Sequence, residues 1–323
     1  MTETEIRNDY FGRRWFNRDW LLSRSGFGVV TARQRSDHWF EVKVILEKEP
    51  PRTGGFEILA AITRAFSFMV GRQVFLRGYE DLMSDSETRH LVTPNREPTR
   101  NSLPQPLGSS DSYLGNGENY LGQAIDFFMT EPGEQVAGHL SLCWDTADNL
   151  FSTRLAMVSI CVEGLLRLAA QPFGGGDPGY TPADRTAFEE WLIAHEACLT
   201  PRFISRLRGF LSGLDQRRPV DILWDWQKNG KLGLTPDDIQ AWTRTRHPAT
   251  HAGLVELGRD HDTLQTQVSQ FYRVANLMNR IVLHLMGYHG PYVDYAHPGG
   301  AELPFPGAQS EGFGCEQVGD ADA

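Results

Sequence analysis

Residues 261–285, with the sequence HDTLQTQVSQFYRVANLMNRIVLHL, form the stretch that decides the fold. Their apolar residues recur in alternating steps of four and three: Leu264, Val268, Phe271, Ala275, Met278, Val282 and Leu285. This spacing places the apolar side chains on one side of an α-helix that ends before Gly287. Such a repeat is typical of antiparallel helical bundles, although the same seam could join two copies of the chain. We predict that it packs in the core of a bundle.

A second long helix is predicted from Phe151 to Leu165, where apolar residues again follow steps of four and three. Two further helix starts, at 181–184 and 235–238, share a threonine followed by proline and then by an acid. Threonine caps a helix N-terminus, proline suits the first helical position, and an acid complements the helix dipole. Because the pattern is helical from Glu118 to Met286, we predict an all-α antiparallel bundle over 118–298.

The first hundred residues follow a different pattern. Apolar and polar residues alternate over 38–46, which predicts a β-strand, and residues 73–79 look like another strand. Between them, residues 56–70 have the apolar stripe of a helix that Gly71 can end. The fold class expected is therefore a small α+β module over 1–93 followed by the bundle. Residues 94–117, rich in Pro, Gly and Ser, are predicted to be a linker or exposed loop, and 299–323 a disordered acidic tail.

Composition limits the class of protein. The chain has 323 residues, 40% of them hydrophobic and 22% charged, as in soluble folded proteins. No apolar run approaches the roughly 20 residues of a membrane-spanning helix, and the N-terminus lacks the pattern of a secretory signal. The four cysteines are far apart and form no Cys-x-x-Cys pair, which argues against zinc or redox motifs. We expect a cytoplasmic protein, in which two of the four cysteines fall inside apolar helical patterns and are small core residues.

The formal net charge of −10 argues against a broad nucleic-acid-binding surface. Charge is unevenly distributed, however, because residues 202–218 contain five arginines and a single aspartate. Arginine offers a planar fork that suits phosphate, so this cluster is either a solvated helix face or a path for RNA. The candidate RNA-binding residues are Arg202, Arg206, Arg208, Arg217, Arg218 and Arg244.

The sequence lacks the motifs of several common phosphate-binding, catalytic and metal sites. Residues 174–176 are three glycines without the Lys-Ser/Thr of a phosphate-binding loop, and no Gly-x-Ser-x-Gly or His-Glu-x-x-His motif occurs. A metal site built from His284, His289 and His297 is disfavoured because proline and glycine make that region irregular. We therefore predict neither a metal site nor a cofactor.

One segment, residues 242–253 with the sequence WTRTRHPATHAG, combines residue types that can process a phosphodiester. Pro248 disfavours helix at His247 and suits the start of a new helix, which predicts Arg246 at a helix end and His251 in the next helix. Arginine can neutralise a phosphorane, and histidine can move a proton near neutral pH. Together they suffice, without metal, for attack of a ribose 2′-OH on the adjacent phosphate. The structural alternatives are a C-terminal helix cation for Arg246, an N-cap for His247 and a packing role for His251.

The stretch from Arg246 to His251 resembles the Arg-polar-x3-His motif of HEPN domains, with His247 as the polar residue. The exit from the last helix, 285–295, looks like the end of the ApeA-like HEPN branch, and residues 66–74 resemble its N-terminal half more loosely. Glu163 is similar to an acid that HEPN domains have on an earlier helix of the bundle, where it bonds the motif arginine or histidine. The alternative is that Glu163 only lies at the edge of a helix face. The specific resemblance covers about 140–298.

This resemblance implies a helical bundle that dimerises and places two motifs in one cleft. It also implies a metal-independent endoribonuclease that leaves a 2′,3′-cyclic phosphate and acts in antiphage abortive infection or as a toxin. Arg246 would then stabilise the transition state, His251 would be acid or base, and His247 would orient the phosphate. The partners implied are RNA, a second copy of the chain, and a trigger protein or antitoxin. Two alternatives remain: a non-catalytic HEPN-like module that binds nucleotide, RNA or protein, and a structural adaptor built on the last helix.

Overall fold

The computed structural model of the chain describes residues 2–7, 21–26, 28–36, 39–46, 55–81, 88–91, 101–107, 113–170, 181–214, 218–252, 260–296 and 300–306. Within these ranges the protein is mostly helical, with nine α-helices, one six-stranded antiparallel sheet and one two-stranded antiparallel sheet. The predicted combination of an α+β part and a helical part is confirmed at this level. None of the described helices is long and apolar enough to cross a membrane.

Strands and helices follow one another along the described part of the chain. The strands are β1 (Thr2–Arg7), β2 (Leu21–Ser25), β3 (Gly28–Ser36), β4 (Trp39–Leu46), β5 (Phe75–Asp81), β6 (Thr88–Leu91), β7 (Pro291–Asp294) and β8 (Ala301–Pro304). The helices are α1 (Gly55–Val70), α2 (Tyr113–Phe128), α3 (Glu131–Asp145), α4 (Phe151–Ala170), α5 (Pro182–His195), α6 (Pro201–Leu214), α7 (Pro219–Lys228), α8 (Pro236–Ala252) and α9 (His261–Leu285).

The larger sheet has the strand order β2-β3-β4-β1-β5-β6, and every neighbouring pair is antiparallel. The strands predicted over 38–46 and 73–79 correspond to β4 and β5, and the predicted helix to α1. Gly71, at φ +70°, follows α1 in the left-handed conformation that glycine adopts without steric cost. Every large apolar side chain of α1 that the structure describes is buried, as expected of a helix covered on several sides.

The sheet and the bundle share one hydrophobic core. Val30 and Val42 of the sheet belong to the same buried cluster as the apolar residues of α1 and of the bundle helices. A polar contact supports this packing, since the Asp126 carboxylate of α2 accepts a hydrogen bond from the Gly26 N–H after β2, at 2.8 and 2.9 Å. Burial of the side chain raises the pKa of Asp126.

Residues 101–107 differ from the exposed loop or linker predicted for 94–117. Leu103 and Leu107 are buried, and the N–H of Leu103 donates to the carbonyl of Gly71 at 2.7 Å. Asn279 of α9 donates to the carbonyl of Pro104 at 3.0 Å. Proline and glycine remove regular secondary structure, but they do not prevent burial when the backbone groups find partners elsewhere. The prediction was wrong for these residues, and also for those from 113 onward, which belong to α2.

The bundle is built around α4, which packs against α3, α8 and α9. The apolar seam of α9 is buried in its central part, through Phe271, Ala275, Met278 and Val282, which confirms its predicted core use there. Leu264, in the first turn of α9, is 42% exposed. The capping signals predicted at Thr181 and Thr235 are also present, with each threonine hydroxyl accepting from the N–H three residues on.

A buried ionic network holds α8 against α9. Asp238 accepts hydrogen bonds from the Thr235 N–H at 3.0 Å and from Arg280 Nη2 at 2.9 Å, and it also contacts Arg273 at 3.3 Å. Both Asp238 and Arg280 are almost fully buried. Such pairs stabilise a fold only when both partners are present, because either charge alone would be buried without compensation.

The start of the predicted acidic tail, 299–323, is folded. Ala301–Pro304 form β8, which pairs with β7, and the ring of Phe305 is buried against those of Tyr288 and Tyr292. The prediction of disorder was therefore wrong for residues 301–306, because a single aromatic side chain anchors them to the core. Residues 307–323 lie outside the described part of the chain.

Candidate functional site

The candidate site lies on the half-exposed side of α4, between α3 and α8. Trp242 of α8 is 1% exposed, and its indole Nε1–H donates to the carbonyl of Ser159 in α4 at 3.0 Å. This bond anchors α8 to α4 one helical turn before Arg246. Thr245 is also buried, and its hydroxyl donates to the carbonyl of Ala241 at 2.6 Å. The position of Arg246 is therefore set by the packing of the turn that precedes it.

Arg246 and Glu163 form a bidentate ion pair. Arg246 Nε donates to Glu163 Oε2 at 2.7 Å, and Arg246 Nη2 donates to Glu163 Oε1 at 3.1 Å. The guanidinium carbon lies 5.6 Å from the ring centroid of Trp242, within range of a cation–π contact. Arg167, one turn further along α4, donates to Glu163 Oε1 at 3.0 Å. The contact that the HEPN resemblance implied between Glu163 and the motif arginine is thus present.

The electrostatics of this pair keep both partners charged. The hydrogen bond from Arg246 lowers the pKa of Glu163, and the bond from Arg167 contributes in the same direction. The hydrogen bond to Glu163 in turn raises the pKa of Arg246. The side chain of Glu163 is 16% exposed and that of Arg246 33% exposed. Solvent therefore reaches the pair, although most of the surface of both side chains is covered by the rest of the protein. A fixed guanidinium at a partly open surface is a suitable group for binding an anion.

The backbone of the motif differs from the predicted break at Pro248. Helix α8 continues from Pro236 to Ala252 and therefore contains both Arg246 and His251. The local preference of the residue before proline was overridden by the packing of Trp242 and Thr245. In one regular helix, positions five residues apart differ by about 140° around the axis and by about 7.5 Å along it. Positions 246 and 251 therefore lie on different sides of α8, and the side chains of His247 and His251 lie outside the described residues.

A histidine that the sequence did not single out packs against α4 at the position that follows Glu163. The imidazole of His139, on α3, packs directly over Gly164 of α4, the residue after Glu163. A Cβ atom at position 164 would lie 2.6 Å from His139 Nδ1 and 2.7 Å from Nε2, so a side chain there would require the ring to move. Burial lowers the pKa of His139 below its ordinary value. The available signal was Gly164 itself, because a glycine inside a long helix costs roughly 1 kcal/mol and needs a compensating contact.

The candidate RNA-binding arginines are distributed over three elements. Arg202, Arg206 and Arg208 are found on α6, and Arg208 pairs with Glu196 at 3.2 Å. Arg218 precedes α7 and pairs with Asp221 at 2.7 Å. Two further candidates are Arg244, exposed on α8, and Arg217, which lies outside the described residues. Acidic neighbours already pair with Arg208 and Arg218. These two arginines therefore offer less positive charge to an RNA strand than the sequence suggested.

Other residues considered from the sequence have structural surroundings. Cys143 and Cys161 are buried, which agrees with the expectation that two of the cysteines are core residues. His284 packs edge-on against Trp226, with ring centroids 5.6 Å apart, and His289 is exposed. Across the described ranges, no three metal-binding side chains come together. His297 and Cys315 lie outside the described residues.

Comparisons of this chain with protein-family models, curated proteins and solved structures found no match. Its function is therefore inferred from the chemistry and geometry of the residues themselves.

Proposed function

We propose that the protein is a metal-independent endoribonuclease of the HEPN type, active in antiphage defence or as a toxin. The observation that carries this proposal is the bidentate Arg246–Glu163 pair at a partly exposed surface between α4 and α8. It is formed by the two residues for which the resemblance to HEPN domains implied a contact. An arginine held in a defined plane can bind a phosphate and stabilise the charge that develops on it during attack.

In the proposed reaction, the 2′-OH of a ribose attacks the adjacent phosphorus and displaces the 5′-oxygen of the next nucleotide. Arg246 stabilises the phosphorane through charge-assisted hydrogen bonds, and Glu163 keeps the guanidinium plane oriented. His251 acts as acid or base, and His247 orients the phosphate. The arginines of α6 supply positive charge for the RNA strand. The products are a 2′,3′-cyclic phosphate and a 5′-hydroxyl.

A second function, a non-catalytic HEPN-like module that binds nucleotide, RNA or protein, has its own support. Arg246 already forms a closed pair with Glu163, and positions 246 and 251 lie on different sides of one helix. Under this alternative, the pair joins α8 to α4 and has no role in chemistry. The two functions differ in whether Arg246 affects RNA turnover or only stability and binding.

The deciding experiment is incubation of the purified protein with single-stranded RNA in EDTA. We expect cleavage that ends in a 2′,3′-cyclic phosphate, and a loss of at least about 100-fold in rate for both Arg246→Ala and His251→Ala. Arg185→Ala is the matched control, since Arg185 is an arginine of α5 that pairs with Glu189 at 3.0 Å. Cleavage that survives both site substitutions would refute the assigned site. Binding of RNA without cleavage would favour the second function.

Light scattering tests the expectation of a dimer. HEPN domains form a composite cleft from two motifs, so a dimer is expected at the concentrations used in the cleavage assay. A chain that remains strictly monomeric while it cleaves RNA would contradict the composite cleft and would leave a site within one chain.

A further inference from the structure

We propose that Arg167 and Arg246 together bind one phosphate of the RNA backbone, each arginine holding one of its two non-bridging oxygens. This inference rests on the proposed ribonuclease function and extends it, because it adds a substrate-binding residue that lies outside the Arg246–His251 stretch. The residue that joins the two arginines is Glu163, which accepts hydrogen bonds from both of them.

The first support is the geometry of the shared carboxylate. Glu163 Oε1 accepts from Arg246 Nη2 at 3.1 Å and from Arg167 Nη2 at 3.0 Å. Two nitrogens bonded to one oxygen are no more than about 6 Å apart. That separation lets two guanidinium groups hold different oxygens of one phosphate. The bonds from Arg246 to Glu163 use its Nε–Nη2 edge, so the planar group directs its Nη1–Nη2 edge away from the carboxylate.

The second support is the charge of this cluster of three side chains. Hydrogen bonds from Arg246 and Arg167 lower the pKa of Glu163, so its carboxylate is ionised at neutral pH, and both arginines are charged. Two guanidinium groups and one carboxylate leave one positive charge in excess. Arg246 and Glu163 alone would be neutral. Arg167 therefore supplies the excess charge that binding of an anion requires.

The third support is the order of exposure within the cluster. The side chain of Glu163 is 16% exposed, that of Arg246 33% and that of Arg167 47%. The carboxylate is therefore more covered than either guanidinium group. An anion that arrives from solvent would meet the two arginines rather than the acid that holds them.

A second acid that pairs with two arginines provides a structural comparison within the same protein. Asp238 pairs with Arg280 at 2.9 Å and with Arg273 at 3.3 Å, but the side chains of Asp238 and Arg280 are each only 2% exposed. Arg273 also lies 3.8 Å from Asp237, so these two arginines face two acids and carry no excess charge. The cluster around Glu163 differs in both exposure and charge.

The test measures binding of a single-stranded 2′-deoxy oligonucleotide, which cannot be cleaved, to the full-length protein by fluorescence anisotropy at several salt concentrations. We expect Arg167→Gln to weaken binding about tenfold and to make it less dependent on salt. Arg167→Lys keeps the charge but loses the planar fork, and it should recover part of the affinity. Arg185→Gln is the matched control, because Arg185 forms a helical pair of the same spacing with Glu189, also at 3.0 Å. That control should bind as the natural protein does.

Combined substitutions separate one shared phosphate from two independent contacts. If both arginines hold the same phosphate, Arg167→Gln combined with Arg246→Gln should weaken binding by less than the product of the two single losses. Losses that multiply would refute the shared phosphate. In single-turnover cleavage, Arg167→Gln should raise the half-saturating RNA concentration more than it lowers the rate at saturation. Thermal unfolding of each variant establishes that it is folded.

The outcomes distinguish this inference from the proposed function. If the natural protein cleaves RNA and Arg167→Gln binds and cleaves equally well, the function stands and the role of Arg167 is refuted. If the natural protein binds the oligonucleotide, with the expected losses in the variants, but cleaves no RNA, the phosphate site stands and the ribonuclease function fails. Absence of binding by the natural protein would overturn the phosphate site itself.

Discussion

Replacement of Glu163 by glutamine should reveal how much the Arg246–Glu163 pair contributes to stability. The variant keeps one carbonyl oxygen as an acceptor but loses the charge that binds both Arg246 and Arg167. Exposed ion pairs contribute less than about 1 kcal/mol, whereas breaking a fully buried pair costs about 3–5 kcal/mol. With Glu163 at 16% and Arg246 at 33% exposure, this pair lies between those limits. We expect a loss of about 1–2 kcal/mol in the free energy of unfolding.

The loss should depend on pH in a defined direction. The hydrogen bond from Arg246 lowers the pKa of Glu163 in the folded protein below its ordinary value of 4.5. A carboxylate with a lowered folded pKa stabilises the fold above its unfolded pKa, and this contribution disappears as pH falls through the folded value. The natural protein should therefore exceed Glu163→Gln in stability at pH 7, and the difference should vanish in acid below pH 4.5.

Urea unfolding at several pH values measures this difference, and a double-mutant cycle with Arg246→Met isolates the pair. Glu189→Gln is the matched control, because Glu189 pairs with Arg185 across one helical turn with both side chains over 40% exposed. That control should change stability by less than about 0.5 kcal/mol. A coupling energy near zero between positions 163 and 246, or a difference independent of pH, would refute the reasoning.

Two further predictions concern the framework of the site. Asp238→Asn should destabilise the protein by about 3–5 kcal/mol in urea unfolding, because it leaves the buried charge of Arg280 uncompensated. Asp237→Asn, whose side chain is 72% exposed, should cost less than about 0.5 kcal/mol, and equal effects would contradict the buried network. Gly71→Ala should lower stability by at least about 2 kcal/mol, because φ is +70° and the new Cβ would meet a carbonyl oxygen. Gly138→Ala, in an open position on α3, should instead stabilise by about 0.5–1 kcal/mol, so a loss there would show that helix propensity does not govern that position.

Periodic patterns predicted the elements well. Alternation identified β4, and the steps of four and three identified α4 and the central part of α9, because burial of one face imposes its period on the sequence. Local signals were less dependable where packing opposed them. Pro248 predicted a helix boundary, yet α8 continues through it, held by Trp242 and Thr245 on the preceding turn. Residues 101–107 looked like an exposed loop and are part of the core.

The sequence by itself determined the helical part and the α+β part before it, and it singled out Arg246 as the arginine of the proposed phosphate site. It also indicated Glu163, through a resemblance rather than through any pattern in the chain. Only the tertiary structure shows that Arg246 and Glu163 form two hydrogen bonds and that the ring of His139 packs over Gly164. The physical reason is that periodicity reports which face of a helix is buried, whereas contacts between residues 25 and 83 positions apart depend on which helices become neighbours.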